Sequence, residues 1–197
     1  MPRAGLTESK VVDEAQRIAD EIGLASLTLA ALAGRLGVRQ PSLYKHIDGM
    51  AGLQRSLAVR AKNELADVLA RAAVGRERGD AICSISSAYR RWALEHPGRY
   101  AAAQRARAPG DADDTAASMA VVGVAADVLA GYELRDNDAI DATRALRSAL
   151  HGFVTLEAGG GFGLPVDIDR SFDRLVRGLT TALANWAADT ATGAEAR

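Results

Sequence analysis

Cysteine is nearly absent from this chain: Cys83 stands alone among 197 residues. A single thiol forms no disulfide within the chain and supplies no cysteine-based metal site. Placed beside Ile82 and Ile85, it reads as a small buried hydrophobe rather than a nucleophile. Histidine is scarce as well. His46, His96 and His151 lie far apart, with neither an HExxH spacing nor a paired-carboxylate arrangement beside them. No catalytic group, metal or cofactor is therefore expected. Runs of 18 or more apolar residues are missing, as is the apolar core of a signal peptide, so the expectation is a cytoplasmic chain with no membrane partner. Missing too is any sustained alternation of apolar and polar residues, which removes β-sheet architectures.

What remains is a chain 48% hydrophobic and 25% charged, ordinary for a globular protein. Its net charge of −1 is unevenly spread: residues 1–60 hold eight basic against six acidic groups, and the rest hold 16 against 19. A mildly basic head on an acidic body suits a protein that touches nucleic acid at one end.

Helical periodicity runs throughout. Thr7 reads as an N-cap, followed by Val11, Ala15, Ile18 and Ile22 on one face and a stop at Gly23. Thr28 caps a second helix with Leu29, Leu32, Ala33 and Leu36 inward, ending at Gly37. A short third helix spans about Gln40 to Ile47, with Pro41 in its first turn where a missing N–H costs nothing. Asp48 then caps a long helix through Leu53, Leu57, Ala61, Leu65, Val68 and Leu69 that fades near Gly75. Gly75 to Gly79 is the expected boundary. Beyond it come a helix with Ile82, Ile85, Tyr89 and Trp92, stopped at His96-Pro97-Gly98, and a brief helix bearing Tyr100. A loose segment from Ala108 to Thr115 precedes a helix of Met119, Val122, Ala126 and Leu129. Another follows with Ile140, Leu146, Leu150 and Phe153. The Gly-rich stretch Ala158–Pro165 follows a helix and precedes a proline, so it lacks the strand-loop-helix setting of a phosphate cradle. A last helix carries Phe172, Leu175, Val176, Leu179, Leu183 and Trp186, and the tail after Thr190 is expected to be disordered. The fold class is all-α, a three-helix head joined by a long helix to a C-terminal bundle, with domains over 7–63 and 80–190.

The stretch from Thr28 to Asp48 carries the functional argument. Two short helices joined by a Gly-containing turn are the minimum apparatus for placing side chains in a DNA major groove. If Leu43 and Ile47 face the core, then Arg39, Gln40, Ser42, Tyr44, Lys45 and His46 are left for solvent or a partner. Arginine pairs bidentately with guanine and glutamine with adenine, while Ser, Tyr and Lys suit phosphates. Thr28 belongs to the same surface, because a capped helix N-terminus also receives a phosphate. The competing reading is a solvated face with Tyr44 half-buried. A second competitor is a helical module whose head binds protein, told apart by the steep salt dependence of DNA affinity.

The TLAALAGRLGV segment, the SLYKHI string and the DGMAGL that follows, together with Ala15, resemble the N-terminal domain of TetR-family transcriptional regulators from Thr7 to about Ala61. The resemblance implies a DNA surface made by Thr28, Arg39, Gln40, Ser42, Tyr44, Lys45 and His46, with Leu43 in the core and Tyr44 toward a phosphate. Many relatives begin the following helix with a phosphate-clamping lysine; here Met50 stands at that place, which leaves the contact to backbone N–H groups near Gly49 and Met50. HPGRYA (His96–Ala101) and ALHGFVTLE (Ala149–Glu157) resemble the branch whose C-terminal domain is named for a Trp-His-Gly motif, of which only His151-Gly152 is kept. By this resemblance the chain is expected to act as a homodimeric repressor, released from a palindromic operator in double-stranded DNA by a small-molecule effector. The alternatives are a ligand-independent regulator and the protein-binding module.

Within the body, Ala142, Ala145, Ala149 and Gly152 form a small-residue seam that serves either a two-fold four-helix dimer interface or packing within one subunit. Tyr89, Trp92, Tyr100, Met119, His151 and Phe153, with Phe162, are the pocket candidates, each also readable as plain core. His151 and Glu157 either orient a ligand or pair with backbone at a helix end.

Overall fold

Capping chemistry sets most element boundaries. The computed structural model describes residues 5–194, with side chains described as far as Trp186. Eight α-helices follow in order among the described residues: α1 (Glu8–Ile22), α2 (Leu29–Leu36), α3 (Gly49–Ala73), α4 (Arg78–Glu95), α5 (Pro97–Ala103), α6 (Ala112–Ala130), α7 (Asp136–Ala158) and α8 (Ile168–Ala194). The Thr7 hydroxyl accepts the Lys10 N–H at 3.3 Å, and the Thr28 hydroxyl accepts the Ala31 N–H at 3.1 Å. Each satisfies one donor that a helix start leaves orphaned. At the other end of α2, Gly37 adopts φ 65°, ψ 31°. Its N–H reaches the Gly34 carbonyl while the Val38 N–H reaches Ala33, the paired bonds of a Schellman stop.

The expected third helix forms, but as a 3₁₀ turn over Gln40–Lys45 rather than an α-helix. Its bonds are short-range: Ser42 N–H to the Arg39 carbonyl at 2.9 Å and His46 N–H to the Leu43 carbonyl at 2.8 Å. The Ile47 N–H also reaches the Leu43 carbonyl at 3.0 Å, so one i→i+4 bond closes the end of the turn before Asp48 and Gly49 start the next helix.

The helices divide into two compact units, neither continuous in sequence. One comprises the described residues up to Leu65 together with Glu95–Met119; the other comprises Ala66–Leu94 and the described residues from Ala120 onward. The divisions fall inside α3, α4 and α6, not at Gly75–Gly79, which joins α3 to the start of α4 within the second unit. Sequence order misleads here because α5 returns to α1. A Cβ built on Gly98 would stand 2.1 Å from the Ala19 carbonyl carbon and 2.2 Å from its oxygen, so only glycine permits this approach. Arg99 then fixes the contact, its backbone N–H donating to one Asp20 carboxylate oxygen (2.9 Å) and its Nε to the other (2.7 Å).

The first unit has a core of Val11, Ala15, Ile18, Leu32, Leu43, Leu53, Leu57 and Ala61. Ile22 departs from the expected face and lies 55% exposed, being the last residue of α1 before the chain turns at Gly23. The N-terminal turn of α6 is built from Ala112 onward, within the segment expected to be loose, because the Asp111 carboxylate caps it by accepting the Asp114 N–H at 3.1 Å. In the second unit α7 and α8 pack on each other, with Ala142, Leu146, Leu150 and Val154 facing Phe172, Val176 and Leu183 in the buried set. Helix α8 continues to Ala194, past the Thr190 where disorder is expected. Residues 195–197 of that tail lie outside the described residues. No described helix is long and apolar enough to cross a membrane.

Candidate DNA-binding surface and effector site

The recognition turn is held by two side chains: Leu43 is fully buried and Ile47 is 7% exposed. With those positions inward, the period of the turn puts Arg39, Gln40, Tyr44 and Lys45 in solvent, leaving Ser42 and His46 half-buried. Tyr44 is 58% exposed, which decides against a half-buried ring. Gly49, at φ 63°, starts α3 beside that ring; a Cβ there would meet Tyr44 Cε1 at 3.9 Å. Thr28 is exposed, with its hydroxyl already engaged in capping α2.

Part of the expected set also shares one groove. Tyr44, Lys45 and His46 line an open groove of about 480 Å³ with Glu8, Asp48, Gly52, Arg55 and Ser56. Thr28, Arg39, Gln40 and Ser42 lie outside its lining. Arg55 was not legible as part of this surface, because its neighbours there come from a different stretch of chain.

Charge is consumed internally across the rest of the head. Arg35 donates through Nε to Glu14 (2.9 Å) and through both Nη atoms to Glu21 (2.8 and 3.1 Å), tying α2 to α1. That contact holds the Glu21 carboxyl below its ordinary range. Arg17 pairs with Glu14, Arg60 with Asp13, and Gln16 donates to Glu64 at 2.9 Å. Arg39 and Lys45 form no ion pair among the described residues, and both stand on the recognition turn. The basic excess of the head thus matters less than its placement. Arg17, Arg35 and Arg60 are each paired with a carboxylate, while Arg39 and Lys45 on the turn remain available to phosphates and base edges.

The body candidates separate. Tyr100 and Met119 belong to the first unit, Tyr100 buried and Met119 56% exposed. Tyr89, Trp92, His151 and Phe153 belong to the second, where Tyr89 and Trp92 are 6% and 5% exposed and the other two half-buried. The expected set therefore divides between the two units. Phe153 instead packs with Phe162 and Phe172 at ring-centroid distances of 4.8 and 5.1 Å. Arg90 caps this cluster, its guanidinium 4.9 Å from the Phe172 centroid. Its Nε and Nη2 donate to the two oxygens of Glu157 (2.7 and 2.5 Å), with Asp169 at 2.7 Å. Glu157, expected to orient a ligand or pair with backbone, pairs with this side chain instead. Arginine suits the place because one planar fork serves a bidentate carboxylate and an aromatic face together. Nothing near Arg90 in sequence announces this cluster; its partners are 63 to 82 residues away by number.

Two short helices joined by a glycine turn, the second element anchored by Leu43 and Ile47 and presenting Arg39, Gln40, Tyr44 and Lys45, define a helix-turn-helix DNA-binding protein. Residues 82–179 match the family described as Tetracyclin repressor-like, C-terminal domain. The chain is 37% identical over 181 residues to an HTH-type transcriptional regulator of Mycobacterium tuberculosis, covering 91% of this chain and 83% of that one. It is 36% identical over 182 residues to the HTH-type transcriptional regulator YobS of Bacillus subtilis, covering 92% and 95%. The fold is shared with the Streptomyces coelicolor TetR family protein ActR, solved in complex with actinorhodin, at a TM-score of 0.70 and 19% identity over 93% of this chain and 97% of that one. The chain belongs to the TetR family of DNA-binding transcriptional regulators.

Proposed function

We propose that this regulator is a homodimeric repressor that leaves a palindromic operator when a small molecule binds its second unit. The observation that carries the DNA half is the exposure of Arg39, Gln40, Tyr44 and Lys45 on a turn pinned by Leu43 and Ile47. Arg39 and Gln40 read base edges; Tyr44 and Lys45, with Ser42, His46 and the capped α2 start at Thr28, hold phosphates. Two such turns about 34–36 Å apart read two half-sites. The base-edge role of Arg39 and the phosphate role of Tyr44 are tested by mobility shift with a duplex enriched from a randomised pool by the wild-type protein. Arg39→Ala and Tyr44→Ala should both abolish the shifted band; intact binding in both removes this surface from contention.

Dimerisation uses the seam of α7. Ala142 is buried within the chain, but Ala145, Ala149 and Gly152 are partly exposed, and a Cβ on Gly152 would meet nothing within 4 Å. Leu175, Leu179 and Trp186 of α8 are also partly exposed, beside a fully used face of Phe172, Val176 and Leu183. Gly152→Glu should convert the dimer to monomer in analytical ultracentrifugation. Effector binding draws on Tyr89, Trp92, His151 and Phe153, and works as a population shift toward a state with wrongly spaced heads. Helix α3 is suited to transmit it, since its residues belong to the first unit through Leu65 and to the second from Ala66. The activity is binding alone, in the cytoplasm, and the Trp-His-Gly branch remains the finer family placement.

A further inference from the structure

We infer that Arg55 is a phosphate-binding cation of the DNA surface and that Asp113 acts as a built-in competitor which lowers operator affinity, while Asp111 keeps its hold on the guanidinium. Met50 stands where a lysine clamp is expected, and in the first two turns of α3, Gly49 to Ser56, Arg55 is the sole cation. It lines the same groove as Tyr44, Lys45 and His46. Its guanidinium is not free in this structure. Nε donates to Asp111 Oδ2 at 2.5 Å, and Nη2 is shared between Asp111 Oδ1 at 2.6 Å and Asp113 Oδ2 at 2.7 Å.

The two carboxylates hold Arg55 unequally. Asp111 is 11% exposed at its side chain and also caps α6, so it is bound on several sides. Asp113 is 73% exposed and meets Arg55 through one oxygen. A side chain so placed gains little from its ion pair in water. A DNA phosphate brought to the groove offers Nη2 the same charge-assisted geometry that Asp113 offers, while Nε stays on Asp111. The guanidinium therefore changes one partner and keeps the other. Until that exchange, Asp113 places a negative charge beside the anion-binding groove and opposes the approach of the duplex.

This inference rests on the DNA-facing assignment of Tyr44, Lys45 and His46. The test uses the full-length protein and a duplex enriched from a randomised pool by the wild type, titrated by fluorescence anisotropy over a salt series. Asp113→Asn should tighten binding about twofold to fivefold, the size expected for one charge removed at roughly 8 Å in a water-like dielectric. Arg55→Gln should weaken binding and flatten the salt slope by about 0.9 per protomer, one phosphate contact each. In the double variant the gain from Asp113→Asn should vanish, because the competitor has nothing left to compete for. A gain that persists undiminished without Arg55, or no gain at all, overturns the proposal. Where Arg55→Gln fails to fold, the salt slope of Asp113→Asn decides, since it must steepen. Should Tyr44→Ala bind as well as wild type, the failure belongs to the surface assignment and not to the latch.

Discussion

Gly98→Ala offers the sharpest test of how the first unit is assembled. The added methyl would lie 2.1 Å from the Ala19 carbonyl carbon, 2.2 Å from its oxygen and 2.5 Å from the Asp20 nitrogen. Carbon atoms rest at about 3.5–4.0 Å, so α5 must withdraw from α1 by roughly 1.5 Å. All three obstructing atoms are backbone, and no rotamer change relieves the clash. A shift of that size exceeds the tolerance of the Arg99 hydrogen bonds to Asp20, now 2.9 and 2.7 Å. Overpacking costs about 1–3 kcal/mol and hydrogen bonds to a charged group about 1.5–3 kcal/mol, which together give about 3–6 kcal/mol. For a chain of this size that corresponds to a fall in Tm of about 6–24 °C. Thermal unfolding followed by far-UV circular dichroism measures it. Gly34→Ala is the matched control: it lies within α2 with nothing within 4 Å of the new methyl, and should gain about 0.5–1 kcal/mol from helix propensity. If Gly98→Ala melts within about 3 °C of the wild type, the close approach of α5 to α1 is not what holds this unit together.

Other perturbations probe single interactions. Lys62 and Asp114 form a buried pair, Nζ to Oδ1 at 2.5 Å with both side chains 6% exposed; Lys62→Met should cost about 3–5 kcal/mol in chemical denaturation, and adding Asp114→Leu should recover much of it. Gly37→Ala forces a methyl onto a left-handed residue and should lower stability by about 1 kcal/mol in the same assay. Arg55, followed by the Asp114 backbone N–H, holds the Asp111 carboxyl below its ordinary range. Its folded pKa is thus depressed, so its contribution is present above the usual aspartate pKa of about 3.9 and lost as pH falls below it. Asp111→Asn should lower stability at neutral pH and flatten the acid limb of a stability–pH curve, whereas an unchanged limb would remove Asp111 from the clasp.

Local signals were legible and long-range ones were not. Thr7, Gly23, Thr28 and Gly37 end helices through bonds spanning three to five residues, and the sequence announces such chemistry in place. Leu43 and Ile47 were readable for the same reason: the turn is short, and two apolar residues four apart leave one way to bury both. Arg55 with Asp111, Arg90 with Glu157, and Gly98 with Ala19 join residues 56, 67 and 79 positions apart. Nothing in the intervening sequence fixes those pairings, which depend on where whole helices come to lie. HPGRYA shows the effect most plainly. It resembles a marker of the C-terminal body, yet Pro97 starts a helix whose Gly98 and Arg99 serve α1. The aromatic cluster was hidden for the same reason: Phe153 meets Phe172 and Arg90 only once whole helices have come together.

The return of Glu95–Met119 to the first unit bears on how such regulators are recombined. A designer seeking a new operator specificity on an existing sensor would cut after Leu65 and graft the preceding residues as a cassette. In this chain that cut leaves Gly98 and Arg99 behind, so the graft would meet a foreign α5 in place of the glycine that admits the backbone of Ala19. Asp20 and Glu64 would lose Arg99 in the same stroke. The transplantable reader is a discontinuous piece, the N-terminal helices together with a strap from the middle of the chain. Swaps that carry both segments should keep their fold, and those that carry only the first should not.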